Sequence, residues 1–96
     1  MNFSFHPEAE SELIQAIAYY EEREPGLGLE FVAEVYTSIE KIMAHPFAWP
    51  VLENEIRRIL NRRFPFGILY AIDGEDLFIV AVMNLHRDPD YWKHRI

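Results

Sequence analysis

The chain has 96 residues, 50% of them hydrophobic, no cysteine and a net charge of −7. A chain of this size buries roughly 60 to 65% of its unfolded surface and is expected to fold as one domain, residues 1–96, without staples. The missing cysteines exclude a disulfide framework, a thiolate nucleophile and a thiolate metal site, and no apolar run approaches the roughly 18 residues of a spanning helix. With no signal-peptide pattern at the start, the expected setting is the cytoplasm.

Residues 2–6 alternate Phe3 and Phe5 with polar neighbours, the period of a short strand. Pro7 suits a first helical position, and Glu8, Glu10 and Glu12 follow where negative charge complements the helix dipole. Ala9, Leu13, Ala16, Ile17 and Tyr20 then form an apolar stripe, with Glu12, Gln15, Glu22 and Arg23 on the wet side. Pro25-Gly26 ends this helix. Leu27-Gly28-Leu29 reads as a short connection into a second helix, with Val32, Val35, Tyr36, Ile39, Ile42 and Met43 inward, stopped by Pro46. Two helices joined so closely form an antiparallel hairpin.

Residues 47–52 read as a loop carrying large side chains. Residues 56–60 form a strand of mixed pattern. Residues 66–72 form a clearer one, with Phe66, Ile68, Tyr70 and Ile72 on one face and Gly67, Leu69 and Ala71 on the other. Asp73-Gly74-Glu75-Asp76 is a hairpin turn into the strand 77–83. Strict alternation puts Leu77, Ile79, Ala81 and Met83 on one side of that strand and Phe78, Val80 and Val82 on the other. The expected fold is α+β: a short first strand, then a helical hairpin packed on a mainly antiparallel sheet of about four strands.

The last hairpin is apolar on both faces, and two helices can cover only one. The other face needs the tail around Tyr91 and Trp92, a second copy of the chain, or a partner segment laid across it.

Charge is unevenly placed. Residues 1–50 carry nine acidic and two basic side chains, whereas residues 51–96 carry seven of each. Seven of the nine basic residues fall between Arg57 and Arg95. The acidic half argues against broad nucleic-acid coating, since phosphate would meet like charge. Arg57, Arg58, Arg62 and Arg63, together with Arg87, Tyr91 and Trp92, are the candidate binding residues, and Phe78, Val80 and Val82 are the candidate apolar centre. His86, Asp88, Asp90 and His94 match no metal-ligand spacing, and neither a metal nor a cofactor is expected.

The whole chain resembles the RelE/ParE superfamily of toxins from two-component toxin–antitoxin modules, also labelled plasmid stabilisation proteins. The resemblance is carried by Phe5-His6-Pro7-Glu8-Ala9, Tyr19-Tyr20-Glu21, Gly26-Leu27-Gly28 with Phe31, and Ile42 with Pro46. In the second half it is carried by Arg57-Arg58, Phe64-Pro65-Phe66, Ile68 with Tyr70, Ile79 with Ala81-Val82, His86-Arg87, Pro89, Tyr91-Trp92 and Arg95. It implies the same α+β fold, growth inhibition, a cognate antitoxin that wraps and neutralises the toxin, and assembly as a homodimer of this chain or as a heterotetramer with the antitoxin.

One branch of that superfamily cleaves ribosome-bound messenger RNA without a metal, using arginine, lysine and tyrosine side chains around the scissile phosphate. The resemblance places that branch's strand arginine at Gly67 and its later arginine at Leu85. Such an activity would rest on Arg57, Arg58, His86, Arg87 and Tyr91. The other branch inhibits DNA gyrase by protein contact and has no catalytic residues. The Arg57-Arg58 and Phe64-Pro65-Phe66 entry and the Arg87, Pro89, Tyr91-Trp92 tail look like this ParE branch. The resemblance thus implies a ParE-like inhibitor with neither membrane nor specific nucleic-acid binding, the alternatives being an mRNA interferase or a non-toxic antitoxin-binding relative.

Overall fold

The computed structural model describes residues 1–96. The order is β1 (Phe3–Phe5), α1 (Pro7–Arg23), α2 (Leu27–Ala44), β2 (Val51–Glu53), β3 (Ile56–Leu60), β4 (Phe66–Asp73), β5 (Asp76–Asn84) and a 3-10 turn at Lys93–Arg95. The strands form one sheet in the order β1-β5-β4-β3-β2. β1 runs parallel to β5, and the other neighbours are antiparallel. The α+β architecture is the one expected, with one strand more.

α1 starts where the sequence places it. Pro7 occupies the first turn, and His6 caps the helix by accepting the Glu8 N–H at Nδ1, 3.0 Å away. α2 starts three residues earlier than its local pattern predicts, at Leu27 rather than after Leu29. The cause is Glu21, on the preceding helix, whose carboxylate accepts the N–H groups of Gly26 (2.9 Å) and Gly28 (3.1 Å). Those donors would otherwise be unsatisfied at a helix start. Gly28 also lets the helices close up, since a Cβ there would stand 2.7 Å from the Ile17 carbonyl oxygen.

The hairpin covers one sheet face. Leu13, Phe31, Val35, Ile39 and Ile42 pack on Ile59, Phe66, Ile68, Tyr70, Leu77, Ile79 and Val82, all buried. Tyr20, Phe31, Phe64 and Phe66 form an aromatic cluster at one end, with neighbouring ring centroids 4.8–5.3 Å apart. The Tyr70 hydroxyl donates to the Pro46 carbonyl at 2.9 Å and pins the segment that leaves α2.

That segment is not wholly the loop its sequence predicts: Val51–Glu53 forms β2 against β3. The turn between them uses Asn54 and Glu55, both at positive φ (48° and 65°), as a tight hairpin turn requires. Arg57 ties the loop down by donating to the carbonyls of Trp49 (2.5 Å) and Phe47 (3.2 Å).

β5 also departs from strict alternation. Leu69 pairs with Ala81 but Tyr70 pairs with Ile79, so Val80 is an extra, bulged residue. A bulge resets which face each side chain takes. Leu77, Ile79 and Val82 therefore face the helices, whereas Val80, Ala81 and Met83 face away, with Phe78 beside them.

The away-facing side is closed by the tail. Trp92, 2% exposed, is buried with Ile56, Leu69, Val80, Ala81 and Met83, and Leu85, Phe78 and Tyr91 pack around that cluster. The tail thus covers the β4–β5 part of the face. Leu52 and Leu60, toward β2 and β3, remain exposed.

Candidate functional site

β1 is only three residues long because Pro7 begins a helix, so its pairing with β5 stops at Ile79. Beyond that point the backbone edge of β5 has no strand beside it. The Val80 carbonyl and Val82 N–H fall on that edge, and two side chains satisfy them. Glu12 Oε1 accepts from the Val82 N–H at 3.0 Å, and Arg95 Nη1 donates to the Val80 carbonyl at 3.1 Å. The same two residues form a two-pronged ion pair, Nη1 to Oε1 at 2.9 Å and Nη2 to Oε2 at 3.0 Å. Buried edge groups left unpaired would cost about 1–3 kcal/mol each, so the ion pair continues what β1 leaves off.

Glu12 is a hub. Its Oε2 also accepts the Tyr91 hydroxyl at 2.5 Å and lies 3.4 Å from Arg87 Nη1. The Arg87 guanidinium lies over the Tyr91 ring at 3.8 Å, and Arg95 approaches the same ring at 4.9 Å. Glu8, one turn earlier, accepts from Arg95 Nε at 2.9 Å and meets His94 Nε2 at 2.7 Å. The side chains of Arg95 and Glu12 are 5% and 13% exposed. Burial alone works against the Arg95 charge, but the bonds to Glu12 prevail and its pKa is raised. Burial, and then the bond to Glu12, push the Tyr91 hydroxyl far above the usual phenol value, so it stays a neutral donor.

The sequence-predicted residues fall into separate places. Arg87, Tyr91 and Trp92 gather at the tail, where Trp92 Nε1 donates to the Pro89 carbonyl at 2.6 Å. Val80 and Val82 are buried, and Phe78 is half-buried beneath the tail, so this apolar centre is not a free surface. Arg57 is held by the loop carbonyls. Arg63 pairs with Glu30 at 2.7 Å, a solvated pair of small energetic weight. Arg58 and Arg62 flank a shallow hollow with Trp49, Pro50, Leu52 and Leu60. His86 is exposed, and no group of three or more His, Asp or Glu side chains is placed to hold a metal ion.

Sequence reasoning assigned Glu12 to the solvent side and missed it. The available signal was its place between Ala9 and Ala16, two small residues at the border of the apolar stripe that leave room for a carboxylate to reach the sheet. Gly67 and Leu85 are both built into apolar packing. A Cβ on Gly67 would meet Leu60 Cδ2 at 3.2 Å and the Arg58 stem at 3.3 Å, and Leu85 packs on the cluster under the tail.

A helical hairpin on one face of a mixed sheet, with a clasped tail on the other, defines a small α+β domain whose most developed polar site is structural. The family model described as the ParE toxin of the type II toxin–antitoxin system parDE matches residues 3–91, and the chain belongs to that family. Among solved structures, a chain from the chromosomal ParDE toxin–antitoxin system of P. aeruginosa has the same fold. Its TM-score is 0.76 at 18% identity, covering 90% of this chain and 97% of that one. A search of curated proteins finds no match. No helix is long and apolar enough to cross a membrane.

Proposed function

We propose that this ParE-family toxin acts by protein contact on DNA gyrase and is held in check by a cognate antitoxin. One observation carries the choice of a non-catalytic mode. The two positions where an RNA-cleaving relative would present arginines carry no cation: Gly67 lies under the Leu60 and Arg58 side chains, which an added Cβ would meet at 3.2 and 3.3 Å, and Leu85 packs on the cluster under the tail. The remaining phenol, Tyr91, is bound to Glu12 and raised far from a useful base. Contact with the target or the antitoxin falls to exposed Arg62, Arg63 and Arg87, to half-buried Arg58 and to the outer edge of Tyr91. Trp92 and Val80 become available only when the tail moves, whereas Val82 faces the helices.

The close pairing of Arg87 with Tyr91 favours a second reading, ribosome-dependent cleavage of messenger RNA, because it sets a cation beside a phenol. Induced expression separates the two. Growth arrest relieved by the adjacent antitoxin gene, with ribosome-bound message intact, supports the gyrase reading. Codon-proximal cuts abolished by Tyr91→Phe or Arg87→Ala establish the other.

A further inference from the structure

Trp92 seals the β4–β5 half of the sheet face turned away from the helices, and the β2–β3 half stays open. Side chains alternate along β3, so Arg58 and Leu60 share the open face with Ile56 while Ile59 joins the core under the helices. Gly67 on β4 has no side chain, and Leu60 Cδ2 and the Arg58 stem lie down over it, 3.2 and 3.3 Å from where a Cβ would stand. With Trp49, Pro50, Leu52 and Arg62 they line a hollow of about 470 Å³. Leu52 and Leu60 in it are 41% and 52% exposed.

The charge of this hollow has one sign. Its lining holds two arginines and no carboxylate. Asn61, also in the lining, is already engaged: its amide nitrogen donates to Glu34 at 3.1 Å, and its oxygen accepts the N–H groups of Arg63 and Phe64 at 2.8 Å. The other cations of residues 51–96 have partners. Arg57 is bound to loop carbonyls, Arg63 to Glu30, Arg87 to Glu12, Lys93 to Glu53 and Asp90, and Arg95 to Glu8 and Glu12. Arg58 and Arg62 are the two in this half of the chain that make no ion pair, and both border the same apolar hollow.

We infer that this open half-face docks an extended acidic segment of a partner protein, which sets an aliphatic side chain on Leu52 and Leu60 between carboxylates that meet Arg58 and Arg62. Charge complementarity selects the acid. The chain's net charge of −7 lies outside the hollow, and at physiological salt exposed charges more than about 8 Å apart are screened, so the lining decides. The aliphatic lining selects a peptide over a nucleic acid, because bases stack on aromatic faces and half-buried Trp49 is the one ring there. Spacing sets the pattern. The chain stays paired through Asn61, whose N–H donates to the Phe66 carbonyl at 2.9 Å, and alternate residues of an extended chain stand about 7 Å apart. Arg58, Leu60 and Arg62 are such a series, and glutamate, leucine and glutamate at alternate positions of the partner match it. This assignment rests on the reading that the protein works by contact, not on gyrase being the target, and its test reads peptide binding alone.

The test is an amide NMR titration of the full chain, at physiological salt, with a blocked nonapeptide carrying glutamate, leucine and glutamate at its third, fifth and seventh positions and threonine elsewhere. The expected result is shift changes at Leu52, Leu60, Asn61 and Arg62. Affinity falls about tenfold in Leu60→Ser and in Arg62→Ala and is unchanged in Lys41→Ala, on α2. The double variant Arg58→Glu, Arg62→Glu prefers the peptide with lysine at both glutamate positions, a swap that loss of structure cannot produce. Leu60 and Arg62 are exposed, and a thermal melt of each variant confirms that it is folded. Unperturbed amides at millimolar peptide, shifts confined to other surfaces, equal binding of the lysine peptide by the unaltered protein, or tighter binding of a single-stranded RNA decamer through the same arginines would each overturn the assignment.

Discussion

Glu12 and Arg95 meet as a two-pronged ion pair alongside β5 where β1 has ended, each also bonded to the strand backbone. One pair of side chains therefore finishes the sheet edge and fastens the tail. Removing Glu12 leaves the Val82 N–H and the Tyr91 hydroxyl without a partner, and the buried Arg95 guanidinium with only Glu8 and the Val80 carbonyl. Glu12→Ala is expected to cost about 3 kcal/mol, the range for removing one member of a buried pair. A double-mutant cycle with Arg95→Met should give a coupling energy of about 1–3 kcal/mol. Urea unfolding measures both, and additive single effects would show that the pair does not act as a unit.

Trp92 tests the cover itself. It is almost fully buried over Leu69, Val80, Ala81 and Met83. Trp92→Ala should lower stability by about 3–5 kcal/mol and raise binding of a hydrophobic dye, because the uncovered face is apolar. An unchanged melt with unchanged dye binding would mean that the tail does not seal this face in solution.

The hairpin turn between β2 and β3 holds Glu55 at φ 65°, a region that costs a residue with a Cβ roughly 1 kcal/mol. Glu55→Gly should therefore be neutral to stabilising, by up to about 1 kcal/mol. Chemical denaturation checks this, and a clear loss of stability would contradict the turn geometry.

The clasp is acid-sensitive through Glu8. Its hydrogen bond to His94, followed by the charges of His94 and Arg95, holds the Glu8 carboxyl below its ordinary value of 4.5. A carboxyl whose folded-state pKa is depressed contributes stability above the unfolded value and loses it as pH falls through the folded one. Tail anchoring should therefore be steady above about pH 4.5 and weaken below it, as read from Trp92 amide exchange. Glu8→Gln should remove that part of the acid dependence, and an identical pH profile in the variant would exclude Glu8 as its source.

Both helices, β1, β3, β4 and β5 were legible because each carries its own period or turn signal. What was not legible depends on partners distant in sequence or on a pattern with no contrast. Glu21 begins α2 from the preceding helix, so Leu27-Gly28-Leu29 reads locally as a connection. The turn Asn54-Glu55 lacks the glycine that usually announces a tight hairpin, which hid β2. Positions 77–83 are apolar throughout, so nothing marks Val80 as the bulge that turns Val82 toward the helices and Ala81 away. Glu12 finds its partners 70 to 83 residues later, where helical periodicity carries no information. The need for cover on the second sheet face was readable from that same uniform hairpin. Which of the tail, a second copy or a partner supplies it required the packing of Trp92.

The most direct test of the proposed function is supercoiling of relaxed plasmid by purified gyrase, titrated with the folded protein in the absence of antitoxin. Dose-dependent loss of supercoiling or accumulation of cleaved DNA, with ribosome-bound message left intact, is the predicted result. Normal supercoiling at saturating protein would contradict it.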